Sequence, residues 1–137
     1  MIARILVAVD GSESSKKAFE ESLYIAQKCN SKLDVVHVVT CDFGGDSATI
    51  YELLHEAKIK AEKMLEEYKI EASKSNIPLE IIITQGDAAK IILELSKKKK
   101  YDLIIMGTRG RSVFEELLLG SVSLKVTHNA ICPVMVV

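Results

Sequence analysis

The chain alternates between two periodicities, and that alternation limits its folds more than any single residue does. Short apolar runs, most of them rich in β-branched residues, recur at Ile2–Val9, Leu33–Val39, Leu79–Thr84, Asp102–Met106 and Val134–Val137. Between them lie segments whose apolar residues return at helical spacing. A strand that is apolar at nearly every position is buried on both faces, the usual condition in a parallel sheet. Strands alternating with helices predict crossover connections and helices on both faces of that sheet. Right-handed crossovers leave few topologies, and the pattern alone is compatible with the flavodoxin-like order 2-1-3-4-5.

Local signals set the helix ends. Ser12 is a candidate N-cap for a helix over Glu13–Lys28, with Ala18, Phe19, Leu23, Ile25 and Ala26 turned inward. After a Thr40–Ser47 loop, a long charged helix is expected over Ala48–Ser75. Its apolar positions are Leu53, Leu54, Ala57, Ala61, Met64, Leu65 and Tyr68. Pro78 punctuates it. Gly86-Asp87 offers a turn and a cap before a helix over Ala88–Lys98, with Ile91, Ile92 and Leu95 inward. Ser112–Leu119 reads as a short helical stretch, and Ser121–His128 as the last helix.

The 137 residues fit one domain spanning 1–137, with no repeat and no second domain. At 48% hydrophobic and 5% aromatic, the core is expected to be Ile, Leu, Val and Ala. Eighteen Lys and Arg against 19 Asp and Glu lack the basic excess of a nucleic-acid-binding domain. Cys29, Cys41 and Cys132 form no C-x-x-C pair, so a zinc ribbon or thioredoxin site is not expected. They read as small apolar side chains in a reducing compartment. No signal-peptide pattern and no apolar run of roughly 18 residues is present, so a cytoplasmic location without a membrane partner is expected.

The motif that carries chemistry follows the fourth apolar run. Gly107-x-x-Gly110 comes directly after Leu103-Ile104-Ile105-Met106, and nine residues later Gly120-Ser121 opens the last helix. Glycines after a strand let backbone N–H groups approach an anion without a Cβ in the way, and Gly107 and Gly110 are expected to permit positive φ. A helix N-terminus adds orphan donors and the positive end of a dipole. The combination predicts a phosphate cradle. Arg109 and Arg111 either pair with phosphate oxygens or stay solvated. Ser121 caps the helix, donates its hydroxyl to a phosphate, or does both, and Ser123 is a further candidate.

Asp10 ends the first strand. Its carboxylate either faces ribose hydroxyls or a phosphate-bound Mg²⁺, or makes an Asx-turn or helix cap. Asp10, Val38–Thr40 and Met106–Gly110 all end or follow strands, so the candidate groups converge on the carboxyl edge of the sheet, where open α/β folds bind ligands. His37, inside an apolar run, reads as a satisfied core histidine. His55 reads as solvated, and His128 as complementing a helix C-terminus. Their spacing shows no metal site. Lys97–Lys100 reads as a solvated run that complements a helix dipole.

Gly107-x-x-Gly110 followed by Gly120-Ser121 resembles the ATP-binding pattern of the universal stress protein family, the UspA-like domain. Five blocks resemble that family in order. They are Val7-Ala8-Val9-Asp10-Gly11-Ser12, Val36-His37-Val38-Val39, Gly86-Asp87 before a helix, Asp102-Leu103-Ile104-Ile105-Met106-Gly107, and Cys132-Pro133-Val134-Met135-Val136-Val137. The resemblance implies a three-layer α/β/α sandwich with a five-stranded parallel sheet of order 3-2-1-4-5, Rossmann-like and adenine nucleotide alpha hydrolase-like. It implies ATP, with Mg²⁺, as cofactor. Ala8 and Val9 would lie near the base, Val38 would offer its backbone to the adenine edge, and Asp10 would contact Mg²⁺ indirectly through the phosphates. Met106, Gly107, Arg109, Gly110, Arg111, Gly120, Ser121, Val122 and Ser123 complete the expected binding set.

Absent motifs narrow the chemistry. No G-x-x-x-x-G-K-[ST] occurs, so there is no P-loop lysine, and no G-x-G-x-x-G follows the first strand. Asp10-Gly11-Ser12-Glu13-Ser14 faintly resembles the Ser-Gly-Gly-x-Asp-Ser loop of the ATP pyrophosphatases, but its first Ser is Asp and its second Gly is Ser. The expected function is nucleotide-dependent regulation or stress response, with slow or no hydrolysis and no catalytic residue. The alternatives are a nucleotide-hydrolysing or nucleotidyl-transferring enzyme, and an interaction module that binds no nucleotide. The resemblance and the uncharged last strand, 134–137, imply a homodimer, besides an unknown protein partner.

Overall fold

All five apolar runs form strands, and the segments between them form helices. The computed structural model describes residues 1–40, 44–108 and 119–137. The order is β1 (Arg4–Ala8), α1 (Glu13–Cys29), β2 (Lys32–Val39), α2 (Ser47–Lys74), β3 (Leu79–Gln85), α3 (Ala88–Lys99), β4 (Leu103–Met106), α4 (Ser121–Asn129) and β5 (Val134–Val136). The sheet is parallel throughout and ordered β3-β2-β1-β4-β5. This is the order implied by the family resemblance, not the flavodoxin-like one. The helical stretch expected at Ser112–Leu119 lies almost wholly outside the described residues.

Side chains alternate across the sheet, as a strand's period of two demands. Ile5, Val7, Leu33, Val35 and Ile105 pack under α1 and α2 against Phe19, Leu23, Leu65 and Tyr68. Leu6, Val36, Ile104 and Met106 pack under α3 and α4 against Ile92 and Val126. Each fully buried aliphatic or aromatic side chain contributes about 1.5–3 kcal/mol. The expected inner positions of α1 are buried except Ile25, which is half-buried. On α2 only the later positions Ala61, Leu65, Tyr68 and Ala72 are buried.

Three helices open on side-chain caps. Ser12, Asp46 and Asp87 each accept an N–H from the first turn, at 3.2, 2.8 and 2.9 Å. Cys29 is exposed at the end of α1 and Cys132 is half-buried, so the apolar-core expectation fails for Cys29, and Cys41 lies outside the described residues. Burial raises the Cys132 thiol pKa. Among the described residues no helix is long and apolar enough to cross a membrane.

The expected apolar strand β2 carries a buried aspartate near its start. Asp34 is 3% exposed. It accepts from the Tyr101 hydroxyl and from Arg4 Nη2 at 3.3 Å, with Lys99 Nζ at 4.0 Å. Lys99 also pairs with Glu80 at 3.2 Å, so it is not a merely solvated member of its lysine run. This cluster lies at the amino ends of the strands, away from the glycine motif.

Candidate functional site

β1 and β4 are neighbours in the sheet, and the chain leaves them for opposite faces. The crevice between their carboxyl ends is the switch point of the topology. A cavity of about 120 Å³ opens there. Its floor follows from register: Ala8 on β1 pairs with Val36 on β2 and with Met106 on β4. Ala8 is small where the flanking residues are large. Ala88, at the start of α3, is small above it, so an apolar slot remains between Val38, Ile92 and Val122.

The polar end of the cavity is built from helix starts. Asp10 comes from the β1–α1 turn, Ser15 from the first turn of α1, and Gly120, Ser121 and Ser123 from the start of α4. Gly120 is the N-cap of α4 and makes no side-chain cap hydrogen bond. Its own N–H donates to the Thr108 carbonyl at 2.6 Å, which fixes the entry angle of the helix. Among the described helices, α4 alone opens without a side-chain cap, and its first turn faces the slot. Such amides carry the unsatisfied donors of a helix N-terminus. Ser121 is therefore the first helical residue and not the cap.

Ten of the thirteen expected site residues line this one cavity: Ala8, Val9, Asp10, Val38, Met106, Gly107, Gly120, Ser121, Val122 and Ser123. Arg109, Gly110 and Arg111 lie outside the described residues. Several roles differ from expectation. Gly107 does not adopt positive φ; the described glycines that do are Gly11, Gly45 and Gly86. Its missing Cβ serves helix packing, because a Cβ there would lie 2.8 Å from Ser14 C and from Ser15 N. Ser123 is buried and donates its hydroxyl to the Gly107 carbonyl at 2.7 Å, so it braces the cradle.

Val9 spends both backbone groups inside the protein. Its N–H donates to Val36 at 3.0 Å, and its carbonyl lies 2.8 Å from His37 Nδ1. His37 is 6% exposed, the satisfied core histidine that the sequence suggests. Asp10 Oδ1 accepts the Ser12 N–H at 2.9 Å, the Asx-turn among its expected roles, and the residue also lines the cavity. Beyond the Ala8–Val36 pair β2 runs on to Val39, so the main chain at Val38 outruns the β1 ladder at the mouth of the slot.

Sequence reading missed Val36, Ala88, Ile92 and Ser15. Val36 was legible from Val38 by the period of two, and Ala88 from the Gly86-Asp87 cap, which places α3's start at the same edge. Ser15 is 3% exposed; its hydroxyl donates to the Ser12 carbonyl at 3.0 Å and accepts the Asp10 N–H at 3.3 Å. Burial raises the Tyr68 pKa, and the nearby Asp10 carboxylate adds to it. Among the described residues no group of three or more His, Cys, Asp or Glu could hold a metal ion. A second cavity, about 310 Å³, continues from Ser121 and Val122 past Asp87 to Lys125.

The family model for the universal stress protein family matches residues 1–137. The chain is 35% identical to universal stress protein YxiE of Bacillus subtilis, covering 100% of this chain and 99% of that one. Its structure is similar to universal stress protein UspA from Lactobacillus plantarum, with a TM-score of 0.92 and 27% identity over 99% of this chain and 97% of that one. It is also similar to a universal stress protein in complex with cAMP, with a TM-score of 0.75 and 26% identity over 99% and 96% of the two chains. The chain belongs to the universal stress protein family.

Proposed function

We propose that this chain is an ATP-binding member of the family, one domain over 1–137, whose bound nucleotide regulates its contacts with a protein partner. The observation that carries the reading is the start of α4, which opens on Gly120 without a side-chain cap and faces an apolar slot. Adenine fits the slot between Val38, Ile92 and Val122, with the Val38 main chain at its edge. The phosphates take the first-turn amides of α4 as partners. The cAMP complex of a relative supports an adenine nucleotide as the ligand class.

Asp10 is the carboxylate nearest the phosphates in this reading. Among the described residues no group of three or more carboxylates, histidines or cysteines could hold the ion, so Mg²⁺ rides on the phosphates and Asp10 meets it indirectly. When bound, the ion neutralises phosphate charge. Hydrolysis is slow, because phosphoryl transfer needs a positioned nucleophile and dense charge stabilisation. The chain has no P-loop lysine to contribute. Two copies pair through the β5 edge.

Calorimetric titration with ATP, ADP and cAMP tests the site. The Gly120→Val variant keeps an allowed negative φ but crowds the cradle, so ATP affinity should fall while the fold survives. Unchanged ATP affinity in a folded Gly120→Val variant removes the cradle. Multiple-turnover phosphate release near the enzyme median of about 10 s⁻¹, abolished by Asp10→Ala, would replace the regulatory reading with an enzymatic one.

A further inference from the structure

The strands begin and the helices end at the face opposite the cavity, and cations collect there. Lys28 and Lys74 close α1 and α2, and Lys97, Lys98 and Lys99 fill the last turn of α3. Lys100 is the α3 C-cap, Arg4 opens β1 and Lys32 opens β2. The carboxylates among these strand starts are engaged. Asp34 is buried beneath Arg4, Lys99 and Tyr101, and Glu80 pairs with Lys99. Asp102 accepts the N–H groups of Ala3 and Arg4 at 3.0 Å. Lys28, Lys32, Lys74, Lys97, Lys98 and Lys100 are exposed, with no carboxylate ion pair among the described residues.

Eight of the chain's 18 Lys and Arg stand at this end, although the whole chain has a net charge of −1. Helix dipoles explain one lysine per helix end. They do not explain Lys32, on a strand, or the run on α3. Lys100 also has φ 54 and ψ 59, a left-handed conformation that costs a lysine more than glycine or asparagine. The other described non-glycine residues at positive φ are asparagines, Asn30 and Asn76. Ile131, 69% exposed in the link from α4 to β5, lies at the same end.

We propose that this face docks on an anionic phospholipid bilayer surface, with the cavity at the start of α4 turned away from the lipid. The chemistry of the face selects the occupant. Lysine is a compact, strongly hydrated point charge without the bidentate fork of arginine. Protein–protein interfaces are depleted in lysine and enriched in arginine and aromatic residues. A lysine array suits a fluid headgroup layer that rearranges around it. Ile131 has an acyl boundary to enter in a bilayer and no counterpart along a phosphate backbone. Sequence reading expects no membrane partner, and it misses this feature because the feature arises from topology. Residues 28, 32, 74 and 97–100 meet only when three crossovers return to one end of the sheet. The proposal is independent of the nucleotide reading.

Cosedimentation of the whole chain with vesicles is the test, using phosphatidylcholine alone against phosphatidylcholine mixed with phosphatidylglycerol, at low and high salt. Binding is expected on the anionic vesicles alone and lost at high salt. Lys97→Gln/Lys98→Gln/Lys100→Gln should weaken it by roughly tenfold or more. Ile131→Ser should weaken it less, and Lys16→Gln/Lys17→Gln, at the opposite end, should leave it unchanged. Circular dichroism checks folding. If the triple variant is unfolded, Lys28→Gln/Lys32→Gln supplies the same readout. Absence of wild-type binding to anionic vesicles at low salt overturns the proposal. So does equal weakening by the Lys16/Lys17 variant, and so does retention on duplex DNA or polyglutamate with none on vesicles.

Discussion

Ser123 donates its hydroxyl to the carbonyl of Gly107 across 2.7 Å, tying the first turn of α4 to the end of β4. The bond holds the two halves of the glycine motif together at a buried position where Ser123 is 4% exposed. Ser123→Ala leaves the acceptor unsatisfied, so the expected cost is about 1–3 kcal/mol of folding stability. Because the first-turn amides of α4 then lose their fixed position, ATP affinity should fall with it. Urea unfolding and calorimetric titration measure the two effects, and Ser123→Thr should recover most of both.

Gly107→Ala places a methyl group against Ser14 Oγ and 2.8 Å from Ser14 C and Ser15 N. Two of those atoms are backbone, so a side chain cannot rotate away; α1 itself must shift. Overpacking of this kind costs about 1–3 kcal/mol. Adding Ser14→Ala should not restore stability, since it removes only the hydroxyl. Full recovery in the double variant would show that the side chain and not the helix backbone is what Gly107 accommodates.

The strands and helices were legible because each carries its own local signal: apolar runs for the strands, and Ser12 and Asp87 for two helix starts. The sheet order was not legible from pattern, which also permits 2-1-3-4-5; it followed from the family resemblance. Asp34 shows why single-residue roles stay hidden. It stands inside an apolar run, and its partners Arg4 and Tyr101 are 30 and 67 residues away in sequence. The role of Gly107 was hidden for the same reason, since the helix that needs its missing Cβ begins about a hundred residues earlier. In the cavity, the glycine motif announced the polar end. The apolar end depends on two alanines, Ala8 and Ala88, whose significance appears only when the fold brings the start of α3 and the end of β1 to one cavity.

Tyr101 links the Asp34 cluster to pH. Burial raises its phenol pKa well above the ordinary 10.0, and the hydrogen bond to Asp34 adds to that. The folded state therefore keeps a proton that the unfolded state begins to release near pH 10. The stability contribution is complete below that pH and is lost as pH rises toward the folded-state pKa. Tyr68 shifts in the same direction. Urea midpoints measured from neutral pH to strongly alkaline pH should fall above about pH 10. Tyr101→Phe should be less stable at neutral pH, because Asp34 loses a donor, and its stability should decline less steeply in alkali. A parallel decline in both proteins would assign the alkaline loss elsewhere.

The last strand should govern assembly. β5 is the sheet edge in the observed order, pairing with β4 through Ile104–Val134, Ile105–Met135 and Met106–Val136. Its residues Val134, Met135 and Val136 are half-buried and carry no charge to discourage a second chain. An uncharged edge with unpaired N–H and C=O groups is a template for pairing. Two copies related by a two-fold axis can satisfy both edges in one closed contact. Light scattering at micromolar protein should give a mass near twice 15.1 kDa. Met135→Pro removes an N–H from the strand and places a ring there, so the mass should fall toward that of one chain. Because Met135 also pairs with Ile105 and packs against the core under α1, Met135→Lys is the companion variant, read beside a urea-unfolding check: it keeps every backbone donor but charges the edge strand. A mass of one chain in the wild type, independent of concentration and ATP, would reject the β5 contact. A dimer that survives both substitutions would move the interface to another surface.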